Sequence, residues 1–290
     1  MIRETFYKDR PAIELSCHRF SALFLPLDGA KIASFRTDTG DELLAQTEGE
    51  KYRRLDLEGD YEKSECSGFD DMFPTIDPCE IKGVQYLDHG QVCRRAHRAE
   101  IDNDKVTFSC DLPTLNICFQ KTAWCNGGAL WVKYEIENHN DYDFPYLWAA
   151  HMLMKGEEGA YAVSNLPPDI KLVDGKADKE TAHILPPRGN KSYKFYHTGE
   201  THPLRCGIVY PKSKREVTVE FDNGVVKYFG VWVNPGEVNG MYTLALEPCT
   251  ALYDTPVNAE KANAASYIKA HNKVEFTFKM SYKKYKEQEK

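Results

Sequence analysis

No run of apolar residues approaches the ~18 that a membrane-spanning helix needs. No apolar stretch follows Met1-Ile2-Arg3-Glu4-Thr5, where a secretory signal would place one. Cations are in the minority: 37 Lys and Arg stand against 44 Asp and Glu, a formal net charge of −7. Nucleic-acid binding needs clustered cations that neutralise phosphates, so neither a membrane nor a nucleic-acid partner is expected. The one short basic cluster, Arg94, Arg95, His97 and Arg98, is followed by Glu100 and reads as a solvated strand or turn. The nine cysteines are odd in number and contain no C-x-x-C pair, which gives no support to structural zinc or a disulfide framework. Reduced thiols and a cytoplasmic location are therefore expected. No Ser/Gly linker, low-complexity stretch or internal repeat interrupts the chain, so residues 1–290 are expected to form a single domain. Helical periodicity is nearly absent, with one short candidate from Ala259 to Ile268.

What the sequence does contain is a period of two. Leu130, Val132, Tyr134 and Ile136 alternate with Trp131, Lys133, Glu135 and Glu137. Val217, Val219 and Phe221 alternate with Glu216, Thr218 and Glu220. Val274, Phe276, Phe278, Met280 and Tyr282 do the same near the end of the chain. Such alternation puts one face of a strand on a core and the other toward water. Val106, Phe108 and Cys110, then Leu115, Ile117 and Phe119, predict two more strands about a turn at Pro113. Asn126-Gly127-Gly128 and Asn223-Gly224 each predict a hairpin. Pro167-Pro168 and Pro186-Pro187 bracket a polar stretch read as an irregular loop, and the charged tail from Tyr282 to Lys290 is expected to fray. The fold class is all-β, a large antiparallel β-sandwich with little helix.

Four segments break this rhythm and gather polar groups beside aromatics: Cys66 to Asp77, Leu87 to Gln91, Pro145 to Met152, and Tyr242 to Cys249. Glu247 closes the apolar run Leu244-Ala245-Leu246, where surface solvation is a poor explanation for a carboxylate. Buried there, it needs a partner or a raised pKa. His151 closes Leu147-Trp148-Ala149-Ala150, and His89 sits in an Asp88-His89-Gly90 turn. Spacing alone does not show that the three meet, and for either histidine taken alone a structural hydrogen bond to a neighbouring loop is the favoured reading.

Asp88-His89-Gly90, Leu147-Trp148-Ala149-Ala150-His151 and Leu246-Glu247-Pro248-Cys249-Thr250 resemble, in order and spacing, motifs of the aldose 1-epimerase (galactose mutarotase-like) family. The opening from Asp28 to Phe35, the Gly40 to Leu44 segment, Ser67 to Ile76 and Gly230 to Asn234 extend the resemblance from about residue 25 to 282. It implies a galactose mutarotase-like supersandwich with a sugar cleft across one face, acting on a monosaccharide without a cofactor or metal. By the same resemblance Glu247 is the general base and His151 the general acid, and His89 is a second imidazole that helps hold the sugar. Monomer or homodimer is expected.

The chain departs from the better-known branches of the family, which carry a sugar-contacting arginine near the first histidine. Here that neighbourhood offers Asp70, Asp71 and Asp77. Asp70, Asp71 and Trp232 are therefore candidate substrate-binding residues; Trp232 could present its face to a sugar ring or serve the core. Phe69, Phe73 and Trp148 are read as core. Three other functions compete. A non-haem iron oxygenase would use two His and one carboxylate, a carbohydrate-binding protein would have lost turnover, and a sugar-phosphate mutarotase would need Arg94, Arg95 or Arg98 at its cleft.

Overall fold

The computed structural model describes residues 1–284, so the end of the predicted tail, 285–290, lies outside the described residues. Ten strands form one antiparallel sheet. In spatial order they are Ile2–Tyr7, Arg10–Ser16, Phe20–Leu25, Lys31–Thr37, Phe69–Met72, Ala149–Lys155, Tyr242–Cys249, Tyr228–Pro235, Tyr193–His197 and Ile170–Asp174. Eight strands form a second: Tyr161–Ser164, Arg205–Tyr210, Arg215–Phe221, Lys273–Lys284, Ala129–Asn138, Ile117–Asn126, Lys105–Leu112 and Arg98–Asp102. The two pack face to face around one apolar cluster. Phe24 stacks on Phe108 across the gap at 5.1 Å between ring centroids, and Trp148 meets Phe276 edge-on at 4.8 Å. This is the sandwich that the two-residue period predicts, because each strand has one apolar face to bury.

Most predicted strands appear where the alternation placed them, including the pair about Pro113, and Gly127-Gly128 closes a two-residue hairpin between Asn126 and Ala129. Four local expectations need correction. Asn223-Gly224 does not close a hairpin: Arg215–Phe221 belongs to the eight-stranded sheet and Tyr228–Pro235 to the ten-stranded one, so this turn crosses between layers. The segment between the proline pairs is not all loop, because Ile170–Asp174 pairs with Tyr193–His197. The helix is Pro256–Lys261, started by Thr255 Oγ1 accepting from Asn258 N, and Ser266–Ile268 is a short strand. Residues 282–284 are held in register against Val217, Glu216 and Arg215 rather than frayed.

The strand period also decides which side chains leave the core. On Phe69–Met72, Phe69 packs between the sheets, Asp70 points outward, and Asp71 points back in. On the next strand Ala150, Met152 and Met154 face the core, which puts His151 on the outer face. Leu244 and Leu246 do the same for Glu247, Val231 and Val233 for Trp232, and Tyr193 and Phe195 for Lys194. The outer face of the ten-stranded sheet thus carries a row of polar groups. Among the described residues no helix is long and apolar enough to cross a membrane.

Candidate active site

Adjacent strands bring His151 and Glu247 together. Ala149 pairs with Cys249 and Met152 with Leu246, so the same register sets His151 opposite Glu247. Both are buried, at 5% and 1% exposure, and both line a cleft of roughly 860 Å³ on the outer face of the sheet. Lys194 reaches the cleft two strands away. Its Nζ lies 2.7 Å from Glu247 Oε2 and 2.6 Å from Asp254 Oδ1. The Lys194–Glu247 contact is an ion pair whose angles fall outside hydrogen-bond geometry. Tyr196 also donates to Asp254, at 2.9 Å. Burial would strip Lys194 of its proton, but the two carboxylates outweigh it and hold the ammonium above its ordinary range. Burial raises Glu247, and Lys194 works against that rise.

His89 arrives from a loop. Its φ is +55° and that of Gly90 is +72°. A Cβ at Gly90 would stand 2.1 Å from Phe73 O, so the turn requires glycine. His89 N donates to Ile76 O at 2.6 Å and Gln91 N to Phe73 O at 2.7 Å, which pins the loop to the 73–76 segment. Asp88 Oδ1 lies 3.0 Å from His89 Nδ1, again off hydrogen-bond geometry. The two imidazole rings sit edge to face with centroids 5.2 Å apart.

Arg94 corrects the solvated reading of the basic cluster. It is buried, and its guanidinium donates to the carbonyls of Asp88 and Gly90 on either side of His89, and to those of Asp56, Leu57 and Gly59. It ties the His89 turn to the loop that delivers Tyr61. The fork of five donors suits this task as a lysine would not.

Tyr61 is buried under the cleft. Its ring stacks on His89, centroids 3.7 Å apart and 6° from parallel, and its hydroxyl lies 3.0 Å from His151 Nδ1 and 2.8 Å from Asp70 Oδ2. Burial lowers His151 well below the usual histidine value, and the charges of His89, Lys194 and Lys31 add to the effect.

The structure gathers His89, His151, Glu247 and Trp232 around one cleft, with Trp232 half-buried and its ring 6.4 Å from that of His151. Asp77 lines it too, its carboxyl raised by burial and then by Asp254. Asp70 does not line it; it stands behind Tyr61, paired with Lys31 at 3.0 Å. Asp71 is a correction. It is fully buried between the sheets, where Lys121 Nζ at 2.6 Å, Tyr134 Oη at 2.8 Å and Trp148 Nε1 at 3.1 Å all donate to it. Adjacent positions on a strand face opposite ways, so only one of the two aspartates can face the outer side. Trp148, Phe69 and Phe73 are in the core. Tyr61, Lys194 and Asp254 escaped the sequence analysis. Lys194, standing amid Tyr193, Phe195 and Tyr196, carried the one usable signal, a cation inside an apolar strand.

No family model matches the chain, and no curated protein matches it. Solved structures do. A Klebsiella pneumoniae protein provisionally described as an aldose 1-epimerase aligns with a TM-score of 0.77 over 97% of this chain and 83% of its own, at 13% identity. A galactose mutarotase-like protein from Clostridium acetobutylicum aligns at 0.69 over 98% of each chain, at 15% identity. A galactose mutarotase related enzyme from Lactobacillus acidophilus aligns at 0.67 over 96% and 99%, at 14% identity. The architecture is that of the galactose mutarotase-like β-sandwich proteins. At such identities the likeness establishes the fold, and activity has to be argued from the site.

Proposed function

We propose that this protein is an aldose 1-epimerase that interconverts the α and β anomers of a free aldose. The observation that carries the proposal is the pairing of His151 with Glu247 across adjacent strands in one cleft. Glu247 takes the proton of the C1 hydroxyl as His151 gives one to the ring oxygen. The C1–O5 bond breaks, the aldehyde turns about C1–C2, and ring closure returns both protons. An acid and a base that face the same cleft, within reach of the C1 hydroxyl and ring oxygen of one bound sugar, are what this reaction needs. His89 and Trp232 would hold the sugar, and Asp77 offers an acceptor for its hydroxyls.

The cleft's charge favours a neutral sugar over a phosphorylated one. Glu62, Asp77, Asp88, Asp174, Glu237, Glu247 and Asp254 line it against Lys176, Lys191 and Lys194. Arg94 is consumed by backbone carbonyls, and neither Arg95 nor Arg98 lines the cleft. The iron reading fares no better, since among the described residues no group of three His, Cys, Asp or Glu side chains is placed to hold a metal. A protein that only binds sugar has no use for the acid–base pair.

Polarimetry of freshly dissolved α-glucose or α-galactose, after subtraction of the spontaneous rate, tests the proposal. Glu247→Gln and His151→Asn should each slow interconversion by at least about 10²-fold, the usual scale for such groups, with His89→Asn less severe. Wild-type protein that never exceeds the background on any aldose would sink it.

A further inference from the structure

The hydroxyl of Tyr61 stands between two groups that make different demands on it. Asp70 Oδ2 lies 2.8 Å away and His151 Nδ1 3.0 Å away. A phenol has one hydrogen to donate and lone pairs to accept with. Asp70 is ion-paired with Lys31 at 3.0 Å, and all three residues are buried, at 2–3% exposure. A carboxylate held against an ammonium accepts and does not donate, so the Tyr61 hydrogen goes to Asp70. The phenol oxygen then has only lone pairs to offer His151, and Nδ1 must be the donor. Carbon–carbon stacking adds a second constraint, because the same Tyr61 ring lies flat on His89 at 3.7 Å. One side chain therefore touches both imidazoles by different faces.

We propose that Tyr61 is the positioning residue of the site: through Asp70 and Lys31 it keeps a proton on His151 Nδ1, leaving Nε2 to exchange its proton with the ligand, while its ring holds His89 in place. The structural part stands by itself; the catalytic consequence rests on the proposed epimerase function. In that reaction the reacting form of His151 is the imidazolium, the minority form at neutral pH because burial lowers its pKa. Its Nε2 proton goes to the ring oxygen together with the C1–O5 bond pair, and His151 returns to its resting neutral Nδ1–H form. On ring closure Nε2 takes the proton back. The Nδ1 proton never moves, so the ring need not flip between turnovers. Control of one imidazole nitrogen by a partner on the other is the general way in which proteins choose a tautomer.

Nitrogen-15 NMR of histidine-labelled protein tests this without any turnover, the His151 signals being assigned by their absence from His151→Asn. At neutral pH wild-type His151 should give the neutral Nδ1–H pattern, the form less favoured by free histidine. Tyr61→Phe keeps the stacked ring and removes the oxygen. It should convert His151 to the Nε2–H pattern, lower kcat about tenfold with KM changed less than twofold, and displace the alkaline limb of the rate profile. A neutral Nε2–H pattern in the wild type overturns the proposal, whatever the variant does. So does a folded Tyr61→Phe protein with an unchanged tautomer and unchanged pH profile. A wild-type protein that shows the Nδ1–H pattern but no epimerase activity would remove the proposed function and leave the positioning role of Tyr61 intact.

Discussion

Lys194 Nζ stands 2.7 Å from Glu247 Oε2, a buried ammonium against a buried carboxylate at the floor of the cleft. Burial disfavours the ionised form of Glu247 that a base needs; the neighbouring charge of Lys194 resists this. Lys194→Met should therefore raise the Glu247 pKa further. The ionised base then appears only at higher pH, so the acidic limb of kcat/KM moves up and the value at the wild-type optimum falls by about tenfold or more. Lys194→Arg, which keeps the charge, should restore much of the loss. An acidic limb that does not move in Lys194→Met would show that the lysine does not tune the base.

The buried Asp71–Lys121 pair makes a different kind of statement. Asp71→Asn leaves Lys121 charged, 1% exposed and without its partner. The expected cost is about 3–5 kcal/mol of stability, measured by urea unfolding. Residual folded protein should keep KM within twofold, because Asp71 lies on the far side of the sheet from the cleft. A raised KM at unchanged stability would return Asp71 to the sugar-binding role that the sequence suggested.

His97 carries a pH dependence of stability. It is 4% exposed, and burial first, with Lys121 second, brings it down from 6.5 to about 4. A histidine depressed in the folded state is neutral there, while the unfolded chain takes up a proton below 6.5. Its contribution is fully present above 6.5 and is lost as pH falls toward 4, on the order of 3 kcal/mol for a shift of this size. His151, also lowered, acts in the same direction. Urea unfolding at pH 7 and pH 4.5 should show the loss. His97→Phe, which keeps a ring against Phe119, should reduce it; an identical loss in the variant would place the titrating group elsewhere.

The sandwich was legible in the sequence because alternation is a local property. A strand with Leu130, Val132, Tyr134 and Ile136 on one side has one face to bury, whatever it pairs with. The same locality explains why Asn223-Gly224 misled: a turn signal marks a reversal but not the sheet that the next strand joins. For the site, Glu247 and His151 drew attention as polar residues ending apolar runs.

Their meeting, however, was a matter of strand order, which places the strands Ala149–Lys155 and Tyr242–Cys249 side by side although some ninety residues separate them. Tyr61, amid the polar Gly59-Asp60-Tyr61-Glu62-Lys63, offered no periodicity to read, and tertiary anchors deliver it under the cleft: Arg94 donating to Gly59 O and Asn239 Nδ2 donating to Glu62 O. The two aspartates at 70 and 71 are chemically identical in sequence. Which one faces the outer side of the sheet is set by the register of Phe69 against the core, and register is a tertiary quantity: a one-residue slip would exchange them.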